Sequence, residues 1–442
     1  MKYSNLNSKS PEKLKIDIEK IVYGGSGFAR TEYGVILVPY TIPGEHVHVS
    51  SINKRRGVLY GEIQDIIKPS ENRVSPFCNN FRKGCGGCQW QHIDYIEQVG
   101  IKRGIVEESI ERIGKETVEF PPLIYDPGFE ETRLRSVFHI SHKKSEIGFY
   151  RYNTNDIIPI KECPLCVSPI NQVLSIFQEN FDLLEFVDSV SIITSGKDVH
   201  LHLGSKRFDK EVNLRVIYGS INRYGDIITG ISCSKQRGDF LTYGSQCIEF
   251  FTSGFKYLAN GKTFFQGHNT LNGKLIEIIL NMIEDRQDGM LLDLFCGVGF
   301  LSIPVASCFK NVVGIDNHEE SIRLATRNAG LNGVANMEFF RQDLGLGDFS
   351  LGADNVDVVI VDPPRRGCAK RLIKEIIRLN PSQIIMVSCN PTTMARDIRI
   401  LMNNGYGIVS SQGVDLFPQT FHIETIVNLK RKNEFFLKNL HS

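Results

Sequence analysis

The chain has 442 residues, in which 51 lysine and arginine side chains balance 50 aspartate and glutamate side chains. This balance excludes a protein that binds nucleic acid through a large overall positive charge, so any such contact must use a local patch. The length exceeds that of one ordinary domain and predicts about three domains, and the hydrophobic fraction of 41% is enough for full cores.

Residues 1–15 are polar, and no apolar run in the sequence approaches the length of a membrane span. We therefore expect a cytoplasmic protein with no membrane partner. Thiols stay reduced in that compartment, so clustered cysteines are expected to bind a metal instead of forming disulfides.

Residues 11–68 predict a small β-barrel, because short alternating hydrophobic runs are separated by glycine and proline. Three adjacent cations in this segment, Lys54, Arg55 and Arg56, are candidates to bind phosphates. Tyr60 or Phe28 is a candidate to stack on a base. A charged run in a loop is more commonly only solvated, which is the alternative interpretation.

Cysteines are concentrated at Cys78, Cys85 and Cys88, and again at Cys163 and Cys166. Three closely spaced thiols with a distant fourth are typical of a cage for an iron-sulfur cluster or for zinc. The sequence also contains two Cys-x2-Cys pairs, which are compatible with zinc held by four thiolates. The spacing alone therefore leaves the metal open.

The organisation of the chain follows from these regions. Residues 133–160 and 190–250 predict a strand-rich region beside the cysteines. We expect three domains, which are a barrel at 1–70, a central domain with the cysteines at 71–262, and a cofactor-binding domain at 263–442.

A glycine loop opens the third region. In the sequence Cys-Gly-Val-Gly, Gly297 and Gly299 allow a sharp turn and the close approach of a ligand. Residues 301–306 predict the start of a helix, and the next strand-like run ends at Asp316, where a nucleotide-binding unit presents a carboxylate to a ribose. The third glycine of the dinucleotide fingerprint is replaced by Ser302. This departure favours S-adenosylmethionine, which has no pyrophosphate, over NAD.

Strands and helices alternate in the rest of the chain, which predicts an α/β domain with a parallel, doubly wound sheet of the Rossmann type. Such sheets bind ligands at the carboxyl ends of their strands. Gly297, Asp316, Asp362 and Cys389 all fall at predicted strand ends. The pattern therefore brings these four positions to one crevice.

Cys389 follows a predicted strand and precedes Pro391, which suits the first turn of a helix. A single cysteine is first interpreted as core packing, since thiols are commonly buried. Beside a helix N-terminus, however, the pKa of a thiol is lowered, so Cys389 is a candidate nucleophile. Together with the cofactor loop, it suggests a methyltransferase that attacks its substrate covalently.

Residues 290–429 resemble the catalytic domain of the uracil-5 RNA methyltransferases. The resemblance rests on four motifs in the family's order: Asp-Leu-Phe-Cys-Gly-x-Gly, Asp-Pro-Pro-Arg-x-Gly, Ser-Cys-Asn-Pro-x-Thr and Phe-Pro-Gln-Thr-x-His-Ile-Glu. It implies a class I methyltransferase fold in which Cys389 is the nucleophile, Glu424 is the base and Asp362 orients the uracil. It also implies the following contacts with S-adenosylmethionine: Gln266, Phe295, Gly297, Gly299, Phe300, Asp316, Asp343 and Asp362.

Two positions depart from the family's pattern. Phe300 stands where some members have asparagine, and Asp316 stands where many have glutamate. The first departure bears on whether position 300 contacts the cofactor. The second shortens the carboxylate side chain by one carbon.

The implied chemistry is physically consistent. Uracil C5 is a poor nucleophile, and a thiolate that adds to C6 turns C5 into an enolate carbon, which divides one difficult step into easier ones. A base must then remove the C5 proton before the thiolate leaves. Glu424 lies in an expected strand, 421–429, where it shares a face with His422. Without the resemblance, both would be interpreted as solvent-facing strand residues.

The resemblance extends to the other regions. Family members with similar cysteine spacing carry a [4Fe-4S] cluster, which implies Cys78, Cys85, Cys88 and Cys163 as ligands and leaves Cys166 as a spare. The N-terminal barrel resembles a TRAM domain, an RNA-binding module, and the strand-rich region resembles the central domain that holds RNA. This combination resembles the ribosomal-RNA branch, so 23S rRNA is the favoured partner and a tRNA T-arm uridine the alternative. We expect a monomer.

Two other functions are compatible with parts of the pattern. The Asp-Pro-Pro-Arg motif is also similar to motifs of enzymes that methylate amino groups, but that chemistry needs no cysteine nucleophile. The second is an RNA chaperone or assembly factor, which would have the same fold but would not catalyse methyl transfer. The combination of Asp362, Cys389 and Glu424 argues against such a factor.

Overall fold

The computed structural model describes residues 12–205, 214–234, 240–283, 286–345 and 355–432. These residues form three large β-sheets that follow one another along the chain, and a two-stranded hairpin between the second and third sheets. No helix within these ranges is long and apolar enough to cross a membrane.

The N-terminal region is one curled sheet. Its strands are β1 (Leu14–Asp17), β2 (Lys20–Ile21), β3 (Ser26–Thr31), β4 (Gly34–Pro39), β5 (His46–Arg55) and β6 (Val58–Lys68), in the order β1-β5-β6-β4-β3-β2. Alternate side chains such as Ile36, Val38, Val47 and Val49 are fully buried. They contact buried residues of β1, β3 and β6 in a single cluster, so the sheet encloses its own core. The prediction of a β-rich N-terminal region is confirmed.

Two helices follow this sheet, α1 (Asn79–Arg82) and α2 (Tyr95–Ser109), and α2 continues into a π-helical turn (Ile110–Gly114). Asp94 defines the start of α2, because its side chain accepts hydrogen bonds from the N–H groups of Ile96 and Glu97. Val106 of α2 lies in the same buried cluster as Met394, far along the chain. The helix therefore packs against the C-terminal part of the molecule.

The central sheet has seven strands and two helices, as expected for a strand-rich region. They are β7 (Arg135–Ser141), β8 (Glu146–Tyr150), β9 (Ile157–Pro159), α3 (Ser168–Glu179), β10 (Ser189–Thr194), β11 (Val199–Gly204), α4 (Leu214–Ile221), β12 (Ile228–Ser234) and β13 (Phe240–Gly244). The order is β13-β12-β11-β10-β7-β8-β9. β11 and β12 are parallel, whereas the other neighbouring pairs are antiparallel.

The hairpin of β14 (Ile248–Thr252) and β15 (Phe255–Ala259) leads into the third sheet. That region contains α5 (Asn272–Met282), β16 (Arg286–Leu294), β17 (Phe309–Asp316), α6 (Glu319–Leu331), β18 (Met337–Arg341), β19 (Val358–Val361), α7 (Lys370–Leu379), β20 (Gln383–Ser388), α8 (Pro391–Met402), β21 (Tyr406–Val414) and β22 (Glu424–Arg431). The strand order is β18-β17-β16-β19-β20-β22-β21. The order reverses between β16 and β19, which is where doubly wound sheets bind their ligands.

The third sheet confirms the predicted α/β fold but corrects three details. β22 pairs antiparallel with both β20 and β21, so one edge of the sheet is not parallel. The helix expected at 301–306 is only a 3₁₀ turn (Ile303–Cys308), and β17 begins directly after it at Phe309. The strand expected at 421–429 begins at Glu424, so His422 lies in the loop before it.

Candidate active site

Neighbouring strands of the third sheet bring the predicted catalytic residues to one edge. β19 and β20 are parallel and end at this edge, and β22 begins there. Ser388 lies opposite Thr425 in the antiparallel pair of β20 and β22, so Cys389 comes opposite Glu424. Asp362 follows the adjacent strand β19. Asp362, Cys389 and Glu424 are therefore neighbours, although Asp362 and Glu424 are 62 positions apart in the sequence.

Asn390 fixes the position of the cysteine loop. Its side-chain oxygen accepts hydrogen bonds from two backbone N–H groups in the first turn of α8, at 3.1 and 3.4 Å. Its side-chain nitrogen donates to the backbone carbonyl of Arg365 at 2.8 Å. Pro391 is the first residue of α8, as predicted. The Cys-Asn-Pro sequence thus holds Cys389 between a helix start and the Asp-Pro-Pro-Arg loop.

The expected lowering of the thiol pKa is wrong for this structure. Burial, followed by the nearby carboxyl group of Glu424, raises the pKa of Cys389 to about 11. The positive charge of Arg365 acts in the opposite direction. The helix N-terminus beside Cys389 does not outweigh the removal of water from the thiol.

The pKa values of the two carboxyl groups of the site, Asp362 and Glu424, are also raised above their ordinary values. Burial, followed by Asp293 and Asp316, raises the pKa of Asp362 to about 7. Burial, followed by Asp362, raises the pKa of Glu424 well above its ordinary value. Once ionised, Glu424 is therefore a stronger base than an exposed glutamate.

Most of the predicted cofactor contacts line one pocket. Its walls include Gln266, Phe295, Gly297, Phe300 and Asp362. The loop between β16 and the 3₁₀ turn bends sharply here, with φ of +63° at Phe295 and +55° at Gly297. The pocket therefore lies at the carboxyl end of β16, beside the strand that leads to Asp362.

Gly299 has a conformational role in the same loop. Its φ is +82°, and a Cβ atom at this position would come within 2.8 Å of the side chain of Ile303. The second glycine of the motif is therefore needed for the backbone turn and for packing.

Asp316 and Asp343 support the neighbouring walls of the site. The carboxylate of Asp316 accepts hydrogen bonds from the N–H groups of Gly297 at 3.0 Å and His318 at 2.8 Å. Asp343 accepts one from the N–H of Gly345 at 2.7 Å. Gly345 lines a second pocket that shares Phe295 with the first. The two pockets together give an elongated site on both sides of Phe295.

Asp293 is a pocket residue to which the sequence analysis assigned no role. It lines the pocket beside Gly297, and its Oδ2 atom has no hydrogen-bond partner among the described residues. Burial raises its pKa to about 7. A buried carboxylate oxygen without a partner matches the ammonium group of a bound amino-acid moiety. Its place at the start of the Asp-Leu-Phe-Cys-Gly-x-Gly motif is the signal that could have identified it.

A large cleft of about 600 Å³ opens in front of the catalytic edge. Four arginines line it, namely Arg133, Arg135, Arg151 and Arg365. Aromatic side chains alternate with these cations, and they include Tyr150, Tyr152, Phe264, Phe417 and Phe421. Tyr150 also stacks on His139, with ring centroids 3.8 Å apart. Cations interleaved with exposed rings are typical of a surface that binds single-stranded nucleic acid.

The cysteines of the central region divide into two environments. Cys78, Cys85, Cys88 and Cys163 line one narrow pocket of about 10 Å³. Cys166 is fully buried and its Sγ lies 3.1 Å from Ser136 Oγ, outside that lining. Within the part of the chain that the structure describes, no group of three Cys, His, Asp or Glu side chains is arranged to hold a metal ion.

The candidate RNA-binding side chains of the N-terminal sheet have different surroundings. Lys54, Arg55 and Arg56 are exposed at the turn between β5 and β6, and Tyr60 is 41% exposed on β6. Phe28 is half-buried and lies between two cations, whose charged groups are 5.2 and 5.3 Å from its ring centroid. Tyr60 is therefore the more accessible of the two rings.

Arg365 and Tyr23 were also missed as contacts of Cys389. Arg365 is part of the Asp-Pro-Pro-Arg motif, so the sequence contained a signal for it. Tyr23 donates a hydrogen bond to the backbone carbonyl of Cys389 at 3.2 Å, from a different sheet. No sequence pattern connected these two positions.

Comparison with known proteins agrees with this geometry. A model of the family described as tRNA (Uracil-5-)-methyltransferase matches residues 242–432. The chain is 30% identical, over 448 aligned residues, to an uncharacterized RNA methyltransferase of Gloeobacter violaceus, and the alignment covers 95% of this chain and 97% of the relative. This chain belongs to the RNA uracil-5 methyltransferase family. It is accordingly an S-adenosylmethionine-dependent enzyme with a class I methyltransferase-like α/β fold.

Two further relatives of this methyltransferase act on different RNAs by name. One is the 23S rRNA (uracil(1939)-C(5))-methyltransferase RlmD of Aeromonas hydrophila, which is 26% identical with 96% of this chain and 98% of the relative covered. The other is the crystal structure of Pyrococcus abyssi tRNA (uracil-54, C5)-methyltransferase in complex with S-adenosyl-L-homocysteine. It is 26% identical, with a TM-score of 0.73 and coverage of 94% of this chain and all of the other.

Proposed function

We propose that this methyltransferase forms a covalent bond between Cys389 and C6 of a specific uridine in RNA and transfers a methyl group to C5. The observation that carries the proposal is the arrangement at the strand ends. Cys389 lies opposite Glu424, and Asp362 beside them also lines the cofactor pocket. Arg365, whose charge lowers the pKa of the thiol, lines the large cleft. The nucleophile therefore lies between a cofactor site and an RNA-sized cleft.

Each catalytic side chain has a defined role in this proposal. The Cys389 thiolate adds to C6, so that electron density moves to C5, where S-adenosylmethionine supplies the methyl group. Glu424 then accepts the C5 proton, and the bond between Cys389 Sγ and C6 breaks. Asp362 hydrogen-bonds the uracil ring from the side of the cofactor pocket.

The cofactor contacts are assigned from the two pockets. We propose that the following residues bind S-adenosylmethionine: Gln266, Asp293, Phe295, Gly297, Gly299, Phe300, Asp316, Asp343 and Asp362. The unpartnered Oδ2 of Asp293 would receive the ammonium group of the methionine part. The carboxylate of Asp316 faces the glycine loop, where a ribose would lie.

The first test uses RNA in which the target uridine is replaced by 5-fluorouridine, which has no removable C5 proton. The wild-type protein should form a stable covalent adduct with this RNA in the presence of S-adenosylmethionine. Cys389→Ala should form no adduct and no 5-methyluridine. Cys308→Ala, a half-buried cysteine remote from the catalytic edge, should behave as wild type. Substantial methylation by Cys389→Ala would restore the amino-methyltransferase alternative.

The second test isolates the proton transfer. Glu424→Gln should still attack and methylate ordinary RNA, but it should stall before elimination and leave a methylated RNA bound to the protein. Mass spectrometry of the trapped nucleotide would show the added methyl group. An adduct without the methyl group would mean that Glu424 acts before methyl transfer.

We propose 23S rRNA as the substrate and a tRNA T-arm uridine as the alternative. The full-length similarity to a 23S rRNA enzyme supports the first, and the structural similarity to a tRNA enzyme supports the second. Mapping 5-methyluridine in both RNA fractions of a deletion strain distinguishes them. Loss of one site from 23S rRNA, with unchanged tRNA, is the expected result.

We also propose that Cys78, Cys85, Cys88 and Cys163 hold a [4Fe-4S] cluster. The four thiols line one pocket and Cys166 does not, which fits the donor set of such a cluster. The ligands would close around the metal as it binds, with loss of their protons. Arg133 lines both this pocket and the large cleft, so the cluster would support a wall of the RNA site.

Metal analysis of anaerobically purified protein tests this assignment. We expect about four irons per chain, loss of iron in Cys163→Ser, and full iron content in the matched variant Cys166→Ser. Stoichiometric zinc without iron would contradict the cluster. Loss of metal only in Cys166→Ser would reassign the fourth ligand.

The domain organisation is part of the proposal. Residues 1–70 would form a TRAM-like RNA-binding barrel, residues 71–262 a central domain that carries the cluster, and residues 263–442 the catalytic domain. The curled first sheet and its exposed cations support the first of these assignments.

A further inference from the structure

A tyrosine of the N-terminal sheet reaches the catalytic edge. Tyr23 lies in the turn between β2 and β3, and its hydroxyl donates a hydrogen bond to the backbone carbonyl of Cys389 at 3.2 Å. Its ring packs edge-to-face on Phe421, with 5.4 Å between the centroids and 88° between the planes. The same side chain thus contacts the cysteine loop and the loop that leads to Glu424.

The turn that carries Tyr23 is anchored on several sides. The indole N–H of Trp90 donates to the carbonyl of Gly25 at 3.1 Å, and the hydroxyl of Tyr152 donates to the carbonyl of Gly24 at 3.4 Å. Gly25 has a φ of +87°, and a Cβ atom there would lie 3.1 Å from the Phe421 ring. Close packing and hydrogen bonds therefore hold Tyr23 against the catalytic loops.

We propose that Tyr23 is a positioning residue for the nucleophile. Its hydroxyl holds the peptide of Cys389, and so directs the thiol at C6 of the uridine. The ring fixes the 417–422 loop, which lines the cleft on the other side. This inference rests on the covalent function proposed for Cys389. It makes the N-terminal sheet a structural part of the active site in addition to an RNA-binding surface.

The hydroxyl acts only as a donor in this role. Burial, followed by the nearby thiol of Cys389, raises the pKa of Tyr23 above its ordinary value. The charged and titratable groups facing it are Cys389, Arg365 and Glu424. Because the hydroxyl stays protonated, it does not compete with Glu424 as a base.

The test compares Tyr23→Phe with the wild-type protein on 5-fluorouridine RNA. The substitution keeps the ring against Phe421 and removes one hydrogen bond. At saturating RNA and S-adenosylmethionine, the rate of adduct formation on this RNA should fall about tenfold, which corresponds to roughly 1.4 kcal/mol on the barrier. The kcat, measured separately on RNA with an ordinary uridine, should fall by the same factor. The KM for RNA, the Kd for S-adenosylmethionine and the thermal midpoint should not change. The matched control, Tyr33→Phe, removes the hydroxyl of an exposed tyrosine in the turn between β3 and β4 and should leave all five quantities unchanged.

Three outcomes would overturn the inference. An adduct rate equal to that of the wild type would show that the hydrogen bond has no effect on attack. A raised KM with an unchanged saturating rate would make Tyr23 an RNA contact. A lowered thermal midpoint with weaker S-adenosylmethionine binding would make it a general structural residue. Absence of any adduct with the wild-type protein would instead refute the proposed covalent function, and the positioning role with it.

Discussion

The charge around Cys389 determines how much of its thiol is ionised. The raised pKa, about 11, means that the thiol is almost entirely protonated at neutral pH in the ligand-free protein. Only the thiolate adds to C6, so the rate of adduct formation should increase with pH up to that value. Arg365 is the cation that opposes this effect, and it also lines the cleft.

Arg365→Gln tests this electrostatic role. Removal of the cation raises the pKa of Cys389 further, so the pH profile of adduct formation should shift to higher pH. A shift of one unit would lower the rate at pH 8 by about tenfold. The measurement is made at saturating RNA, because Arg365 also lines the cleft. Arg378→Gln, an exposed arginine of α7, is the control. An unchanged profile, or one shifted to lower pH, would contradict the role.

At the scale of single elements, helix α2 holds the loop that precedes Glu424. The Lys102 ammonium lies 2.6 Å from Asp415, and both side chains are fully buried. The same ammonium donates to the carbonyl of Phe417 at 3.0 Å, and the hydroxyl of Tyr95 donates to Asp415 at 3.2 Å. Burial lowers the pKa of Lys102, and the carboxylate opposes that shift.

Lys102→Met should therefore destabilise the protein strongly. The variant leaves the Asp415 carboxylate buried without its cation, which typically costs about 3–5 kcal/mol. The thermal midpoint should fall, and Asp415→Asn added to the same chain should restore part of it. Lys274→Met removes an exposed lysine of α5 that pairs with Glu277, and it should change stability by less than about 0.5 kcal/mol. Equal midpoints for the two lysine variants would disprove the role of the buried pair.

The protein as a whole has almost no net charge, so RNA binding through positive charge must depend on local groups of cations. The turn between β5 and β6 carries one such group. Lys54, Arg55 and Arg56 are all exposed at one end of the first sheet. Deletion of the entire sheet would also remove Tyr23, so substitution of the three cations is the cleaner experiment. It tests RNA binding and leaves the catalytic edge intact.

The triple variant Lys54→Gln, Arg55→Gln, Arg56→Gln should bind RNA more weakly and with less salt dependence. If all three cations contact phosphates, the slope of log affinity against log salt should decrease by about 2, at roughly 0.7 per contact with a single strand. The affinity for S-adenosylmethionine should stay the same. Glutamine at three exposed lysines or arginines elsewhere, such as Lys274, Arg341 and Arg378, is the matched control. The same slope for both variants would mean that the turn is only solvated.

The sequence by itself determined the α/β fold and the grouping of Gly297, Asp362 and Cys389, because these follow from local patterns. Strand periodicity, glycine turns and Pro391 at a helix start all act within a few residues. Where parallel strands end at one edge, residues that follow them must be neighbours. The same local reasoning failed at residues 301–306, where the structure has a 3₁₀ turn in place of the start of an α-helix.

Only the tertiary structure decided how these residues are surrounded. Burial and Glu424 reversed the expected direction of the Cys389 pKa, since desolvation depends on packing from distant segments. Tyr23 and Lys102 reach the catalytic loops from 366 and 313 positions away, so no local pattern could connect them. The physical reason is the same in each case. Hydrogen bonds and charges act through short distances in space, whereas sequence patterns report only short distances along the chain.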